Sequence, residues 1–126
     1  MSYQKAKGRS KGNFVMVRHD IMKSAAWRSL STNARCVWLE IMFRYNGGNN
    51  GEIPLGCREA GELCNVSKNT AWKAFKELQE KGFIGIGQYS NFTCKYKRST
   101  RWIVTHEVCE GKAPTNEWRG WKPDKT

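Results

Sequence analysis

The stretch from Arg58 to Gly82, REAGELCNVSKNTAWKAFKELQEKG, leaves this chain few ways to fold. It reads as a short helix, a tight turn and a longer lysine-rich helix that stops at glycine. Ala60 and Leu63 are expected to give the first helix its inward face. Asn65 and Val66 make the turn, with Val66 filling the angle between the helices. Ser67 follows as an N-cap, its hydroxyl placed to accept a hydrogen bond from an otherwise unpaired first-turn N–H. Ala71, Ala74, Phe75 and Leu78 recur at offsets of three, four and seven, which predicts a narrow buried stripe. The opposite face carries Lys68, Asn69, Thr70, Trp72, Lys73 and Lys76. Such a helix can seat its back on a core and its front in a DNA major groove. An ordinary helix pair with a solvated, lysine-rich face would look the same, so the flanking sequence has to decide.

At 126 residues the chain has room for one domain plus tails. An apolar fraction of 39%, with 12% aromatics, suffices for a compact core. The net charge of +11, from 22 basic against 11 acidic residues, favours polyanions: DNA, RNA or an anionic membrane surface. Where the charge sits narrows the choice. Lys5, Lys7, Arg9 and Lys11 lie in an acid-free N-terminal arm, residues 1–12, expected to be disordered without a partner. Lys95, Lys97, Arg98 and Arg101 make a second acid-free stretch, whereas the helices between mix signs, as at Glu77 and Glu80. An arm, one helix face and a late loop together resemble a binding surface more than a device for solubility.

The arm has no amphipathic apolar face, which argues against membrane binding. There is no apolar signal-peptide core at the start, and no apolar run nears the roughly 18 residues needed to cross a bilayer. A cytoplasmic protein is expected. Cys36, Cys57, Cys64, Cys94 and Cys109 form no CxxC pair, and their odd count and wide spacing suit reduced thiols. Cys36, in an apolar helical run, is expected to act as a buried small hydrophobe. A zinc site from Cys57, Cys64 and His106 lacks the usual ligand spacing.

Along the chain, Phe14 to Val17 (FVMV) predicts a strand or an extended segment against the core. Asp20 is expected to cap a short helix through Ile21, Met22, Ala25 and Ala26, closed onto the core by Trp27 and Leu30. After Leu30-Ser31-Thr32, the residues Ala34, Val37, Trp38, Ile41, Met42 and Tyr45 hold a helical repeat, with Leu39 and Phe43 widening its apolar face. NGGNNG, residues 46–51, ends that helix, and Ile53-Pro54-Leu55 is a short extended piece. Beyond Gly82, Phe83, Ile84 and Ile86 alternate as a strand, Tyr89 to Phe92 turns, and TCKYKRSTRWIVT returns through Trp102, Ile103 and Val104. The expected fold is α+β and mainly helical: a winged helix-turn-helix, three core helices and a C-terminal basic β-hairpin wing, over residues 13–108. In such a fold the wing lays positive charge along phosphates or the minor groove. The tail, residues 109–126, carries Trp118 and Trp121, either folded back over the core or offered as a partner's anchor; folding back is the favoured reading.

With these elements placed, Phe14 to Trp121 resembles small bacterial winged helix-turn-helix proteins, in particular the N-terminal domains of phage and plasmid replication proteins. The resemblance rests on WRSLSTNARCVWLEI, NGGNNGEIPL and REAGELCNVSKNTAWKAFKELQEKGFI, and the ending TNEWRGW is similar to that of small proteins from mobile elements. The central motif is also similar to the DNA-binding half of GntR-type regulators, in which a serine, a basic residue and a threonine open the recognition helix. The resemblance implies that Lys68, Asn69, Thr70 and Trp72 face the groove and that Ala71, Phe75 and Leu78 face the core. It departs from the pattern at Trp72, where an arginine or another polar residue is more usual.

No catalytic constellation is apparent. His19-Asp20 and His106-Glu107 are adjacent pairs whose side chains seldom converge, and the chain lacks a P-loop, a dinucleotide-binding glycine turn and a nucleophile elbow. The expectation is a DNA-binding protein without enzyme activity or cofactor, serving replication initiation or transcriptional control of a mobile element. Lys68, Asn69, Thr70 and Trp72 would read bases, Asn69 suiting adenine. Ser67, Lys73, Lys76, Lys95, Lys97, Arg98 and Arg101 would hold phosphates. The alternatives are a protein-docking module anchored by Trp72, Trp118 and Trp121, and RNA binding through Tyr89, Phe92 and Tyr96. A monomer, or a weak dimer formed on DNA, fits a chain without a long extra helix.

Overall fold

Serines set the first three helices. Ser24 ends α1 (His19–Lys23) by donating its hydroxyl to the Ile21 carbonyl, and the same oxygen caps α2 (Ala25–Ser29) by accepting from the Trp27 amide at 3.1 Å. Ser31 caps α3 (Thr32–Arg44), accepting from the Ala34 amide, also at 3.1 Å. The helix expected to run from Asp20 to Ala26 is therefore two short ones. Asp20 does not cap it: it lies in the first turn of α1 and takes two hydrogen bonds from the Arg18 guanidinium. The computed structural model describes residues 12–88 and 100–123, with Gln88 described by its backbone alone.

α3 buries Ala34, Val37, Trp38, Ile41 and Met42 of the repeat read from the sequence, while Tyr45, its last member, is the C-cap and half-buried. Leu39 and Phe43 do not widen that face. Phe43 lies half a turn from the Ala34–Trp38–Ile41 stripe and is 73% exposed, and Leu39 beside it is also exposed. Apolar residues all round a helix leave the choice of buried face to its neighbours, and here α4 and α5 take one side only. The Phe14–Val17 segment likewise forms no strand: Phe14, Val15 and Met16 are exposed and only Val17 packs on the core.

β1 (Ile53–Pro54) follows α3, α4 (Cys57–Cys64) and α5 (Lys68–Glu80) come next, and β2 (Ile84–Gln88) and β3 (Arg101–Val104) close the order. The three strands form one antiparallel sheet in the order β1-β3-β2. Ile53 stands opposite Trp102, Ile84 opposite Val104, and Ile86 opposite Trp102 from the other side. Pro54, which has no N–H to give a ladder, sits in an edge strand, where this costs least. The fold is α+β and predominantly helical, with a small antiparallel sheet.

The core lies between α3, α5 and the sheet. Trp38 meets Trp27 edge-on at 5.2 Å, and Phe75 of α5 stacks on Trp102 of β3 at 4.8 Å. The Trp102 indole N–H donates to the Leu55 carbonyl at 2.9 Å, so the ring's one polar atom is satisfied inside the core. Asn50, in the loop that ends α3, is buried: its amide donates to the carbonyls of Val104, Glu107 and Val108, and its oxygen accepts from the Val104 amide. This side chain fastens the loop to the end of β3. The C-terminal segment folds back. Trp118, in a 3-10 turn over Glu117–Gly120, is 2% exposed and stacks parallel to Phe83, and Trp121 is half-buried under the Lys81 ammonium. Among the described residues no helix is long and apolar enough to cross a membrane.

Candidate nucleic-acid interface

The turn between α4 and α5 is set by backbone conformation. Asn65 takes the left-handed region at φ 61°, a place asparagine tolerates better than most residues, and the Val66 amide returns to the Gly61 carbonyl at 2.9 Å. That fold brings the chain directly over Gly61. A Cβ there would stand 2.8 Å from the Val66 carbonyl oxygen, so the position needs glycine. The close approach also settles which side of α4 faces inward. Ala60 and Gly61 are buried and Cys57 and Cys64 half-buried, whereas Leu63, expected inside, is 47% exposed. Val66 packs partly buried against the core, as the sequence suggested.

Ser67 opens α5, accepting from the Thr70 amide at 3.0 Å and donating its hydroxyl to the Thr70 hydroxyl at the same distance. Thr70 is therefore occupied locally and half-buried. Ala71, Ala74, Phe75 and Leu78 are buried, so the reverse of the helix is fixed outward. Lys68, Asn69, Trp72, Lys73 and Lys76 lie exposed on it, with no acid between residues 68 and 76. The side chains of Lys68, Asn69 and Lys73 make no hydrogen bond or ion pair among the described residues, and Lys76 places its ammonium 5.2 Å from the centre of the Trp72 ring. Trp72 is itself 52% exposed. The helix N-terminus adds its own partial positive charge at the Ser67–Thr70 end.

Of the other predicted site residues, Arg101 begins β3, half-buried and paired across from Pro54 and Gln88. Lys95, Lys97 and Arg98, the Lys5–Lys11 arm, and Tyr89, Phe92 and Tyr96 lie outside the described residues. Arg58, in the first turn of α4, is an exposed cation that the sequence reading passed over. Its only signal there was its place as the first residue of the motif.

Glu77 was missed as well, and it positions the helix. Its carboxylate accepts from the Ser31 amide at 2.9 Å and the Ser31 hydroxyl at 2.7 Å, and Lys81 reaches it at 3.0 Å while also donating to the Ser29 carbonyl. The C-terminal half of α5 is thus tied to the start of α3. Glu77–Lys81 is visible in the sequence as a four-residue spacing; the partner 46 positions away is not. Burial pushes this carboxyl upward, but the Ser31 and Lys81 hydrogen bonds outweigh it and hold it below the ordinary value.

Three thiols are shifted toward their protonated form. Burial raises Cys57 and Cys109, and raises Cys64 to about 12, with neighbouring Cys36 and Glu40 adding to the effect. Cys36 is half-buried. His106 is buried against Trp38, and burial first, then Arg18, lowers its pKa. Glu107 and Asp20 oppose that shift, the Glu107 carboxylate lying 3.5 Å from Nε2 where the adjacent pair was expected not to converge. Among the described residues no three or more His, Cys, Asp or Glu side chains converge as metal ligands would.

The chain matches no protein-family model, no curated protein and no solved structure.

Proposed function

We propose that this protein binds double-stranded DNA as a winged helix-turn-helix, with α5 in the major groove. The element order α3–β1–α4–α5–β2–β3, with β1 and β2 flanking β3, supports the fold reading, because it places a hairpin directly after the helix presented outward. One observation carries the function: the exposed face of α5 from Lys68 to Lys76 gathers three lysines, an asparagine and a tryptophan without a single acid. Lys68 and Asn69 have the donors and acceptors to read base edges. Lys73 and Lys76 hold phosphates, Ser67 assists with the free end of the helix, and Arg101, together with Lys95, Lys97 and Arg98 outside the described residues, is assigned further phosphate contacts. Thr70 contributes to the cap before it contributes to bases. The role is binding, not catalysis, in replication initiation or transcriptional control of a mobile element.

Affinity for random-sequence duplex measured at about 50 mM and about 200 mM salt tests this, with and without residues 1–12. Neutralising several phosphates releases their counterions, so affinity should fall by at least about tenfold over that range. The shortened chain should retain duplex binding. Failure of the shortened chain to bind would move the activity to the arm and remove α5 as the reader.

A second reading, docking on a protein partner, draws on the exposed apolar side chains Phe14, Met16 and Phe43, which border a cavity of about 820 Å³ at the end of α3. Trp118 has no part in it, being buried.

A further inference from the structure

Trp72 is the least expected residue on the outward face of α5, and the core does not claim it. The buried stripe is complete without it, at Ala71, Ala74, Phe75 and Leu78. The indole stands half in water, with Lys68 and Asn69 one turn before it, Lys73 beside it and Lys76 one turn after. Leaving so large an apolar surface wet in the free protein is unfavourable, so whatever covers α5 gains by covering Trp72. The surrounding lysines require that covering surface to be anionic. Phosphates alone gain nothing from an indole. The major groove supplies both properties at once: phosphate charge at its rims and, on its floor, one apolar feature, the C5-methyl of thymine. The Lys76 ammonium, 5.2 Å from the ring centre, occupies one face of the indole, which leaves the other face and the ring edge for contact.

We infer that Trp72 is a specificity-determining residue that selects thymine through its C5-methyl group, by apolar contact and not by a hydrogen bond. This rests on the proposed seating of α5 in duplex DNA. Discrimination at that base pair then depends on burying one methyl group, which corresponds to about three- to tenfold in affinity.

Replacing thymine by deoxyuridine removes that methyl and leaves every hydrogen-bonding group in place. The full chain is used to select a preferred duplex from random sequence, and each thymine of that duplex is then changed singly to deoxyuridine. For the unsubstituted protein, one or two positions should lose about three- to tenfold in affinity. In Trp72→Gln the same positions should lose nothing further, and Trp72→Phe, which keeps an apolar ring, should restore most of the sensitivity. Unchanged thermal melting of both variants is expected from so exposed a site. A selected duplex that contains no sensitive thymine overturns the inference, as does a Trp72→Gln protein that still feels the missing methyl. Both results leave duplex binding by α5 standing. Tighter binding to single strands than to duplex would overturn it in favour of base stacking on the indole. Absence of any duplex binding would overturn the seating of α5 and this inference together.

Discussion

At Ser31 the chain enters α3, and the donors exposed by that turn are taken up by Glu77 from α5. The carboxyl titrates below its ordinary 4.5, so the unfolded chain takes up this proton first as pH falls. Its contribution to stability is complete above about pH 4.5 and is lost as pH falls through the folded value. His106 acts in a higher window. Burial against Trp38 holds the imidazole below 6.5, so its neutral form favours the folded state fully above about pH 6.5, and that advantage shrinks as pH falls below it. Denaturant unfolding across this range should therefore show two separable losses. His106→Gln should flatten the decline between about pH 6.5 and 4.5. Glu77→Gln should lower stability near neutral pH by about 1–2 kcal/mol through the lost charged hydrogen bonds, and should reduce the decline at lower pH. A wild-type profile flat from pH 6.5 to 4.5 would contradict the assignment to His106.

Elements meet most tightly where glycine permits it. Gly82 ends α5 at φ +85°, and a Cβ added there would lie 2.7 Å from the backbone of Glu117 and Trp118. Gly82→Ala should strain both the left-handed turn and the docking of the 3-10 turn, at a cost of about 1–3 kcal/mol. The displaced tail should then be cleaved by protease within residues 109–123 faster than in the unsubstituted protein. Equal stability and equal cleavage would deny the contact. The sequence carried α5 almost entirely, because Ser67 and the Ala71–Ala74–Phe75–Leu78 repeat are local signals. It carried the β2 and β3 strands through local alternation, but gave β1 only as a short extended piece, without its pairing to β3. It failed at Leu63, Leu39 and Phe43, where apolar side chains turn out to face solvent. What places them is the backbone of the 65–67 turn lying over Gly61, and the choice of one side of α3 by α4 and α5. Both are contacts between elements, and neither leaves a periodic mark in the chain. Of the candidate site, the outward placing of Lys68, Lys73 and Lys76 was legible. The engagement of Thr70 by Ser67 and the anchoring of α5 through Ser31 were not, since they depend on hydroxyl geometry and on a pair 46 residues apart.

Among the described residues, the exposed cations of α5 and the exposed Phe14, Met16 and Phe43 lie on different elements. α3, α5 and the sheet share one core, which leaves α5 with a continuous outward face of cations around Trp72. Phe43, by contrast, lies on the side of α3 turned away from the buried stripe, next to Phe14 and Met16. A net charge of +11 gives long-range attraction to any polyanion, so attraction alone does not distinguish a reader from a sticky surface. The distinction lies in two residues of α5 with different chemistry. Lys73 offers only charge, whereas Asn69 offers a donor and an acceptor that match adenine. The most direct test is the affinity of the unsubstituted protein, Lys73→Ala and Asn69→Ala for a selected duplex and for random duplex, each as a function of salt. Lys73→Ala should weaken both duplexes alike and lower the salt slope by about 0.9. Asn69→Ala should leave the slope unchanged and remove about 1–3 kcal/mol of preference for the selected duplex. Equal effects of the two substitutions on preference, or no effect of either on affinity, would contradict the placing of α5 in the groove.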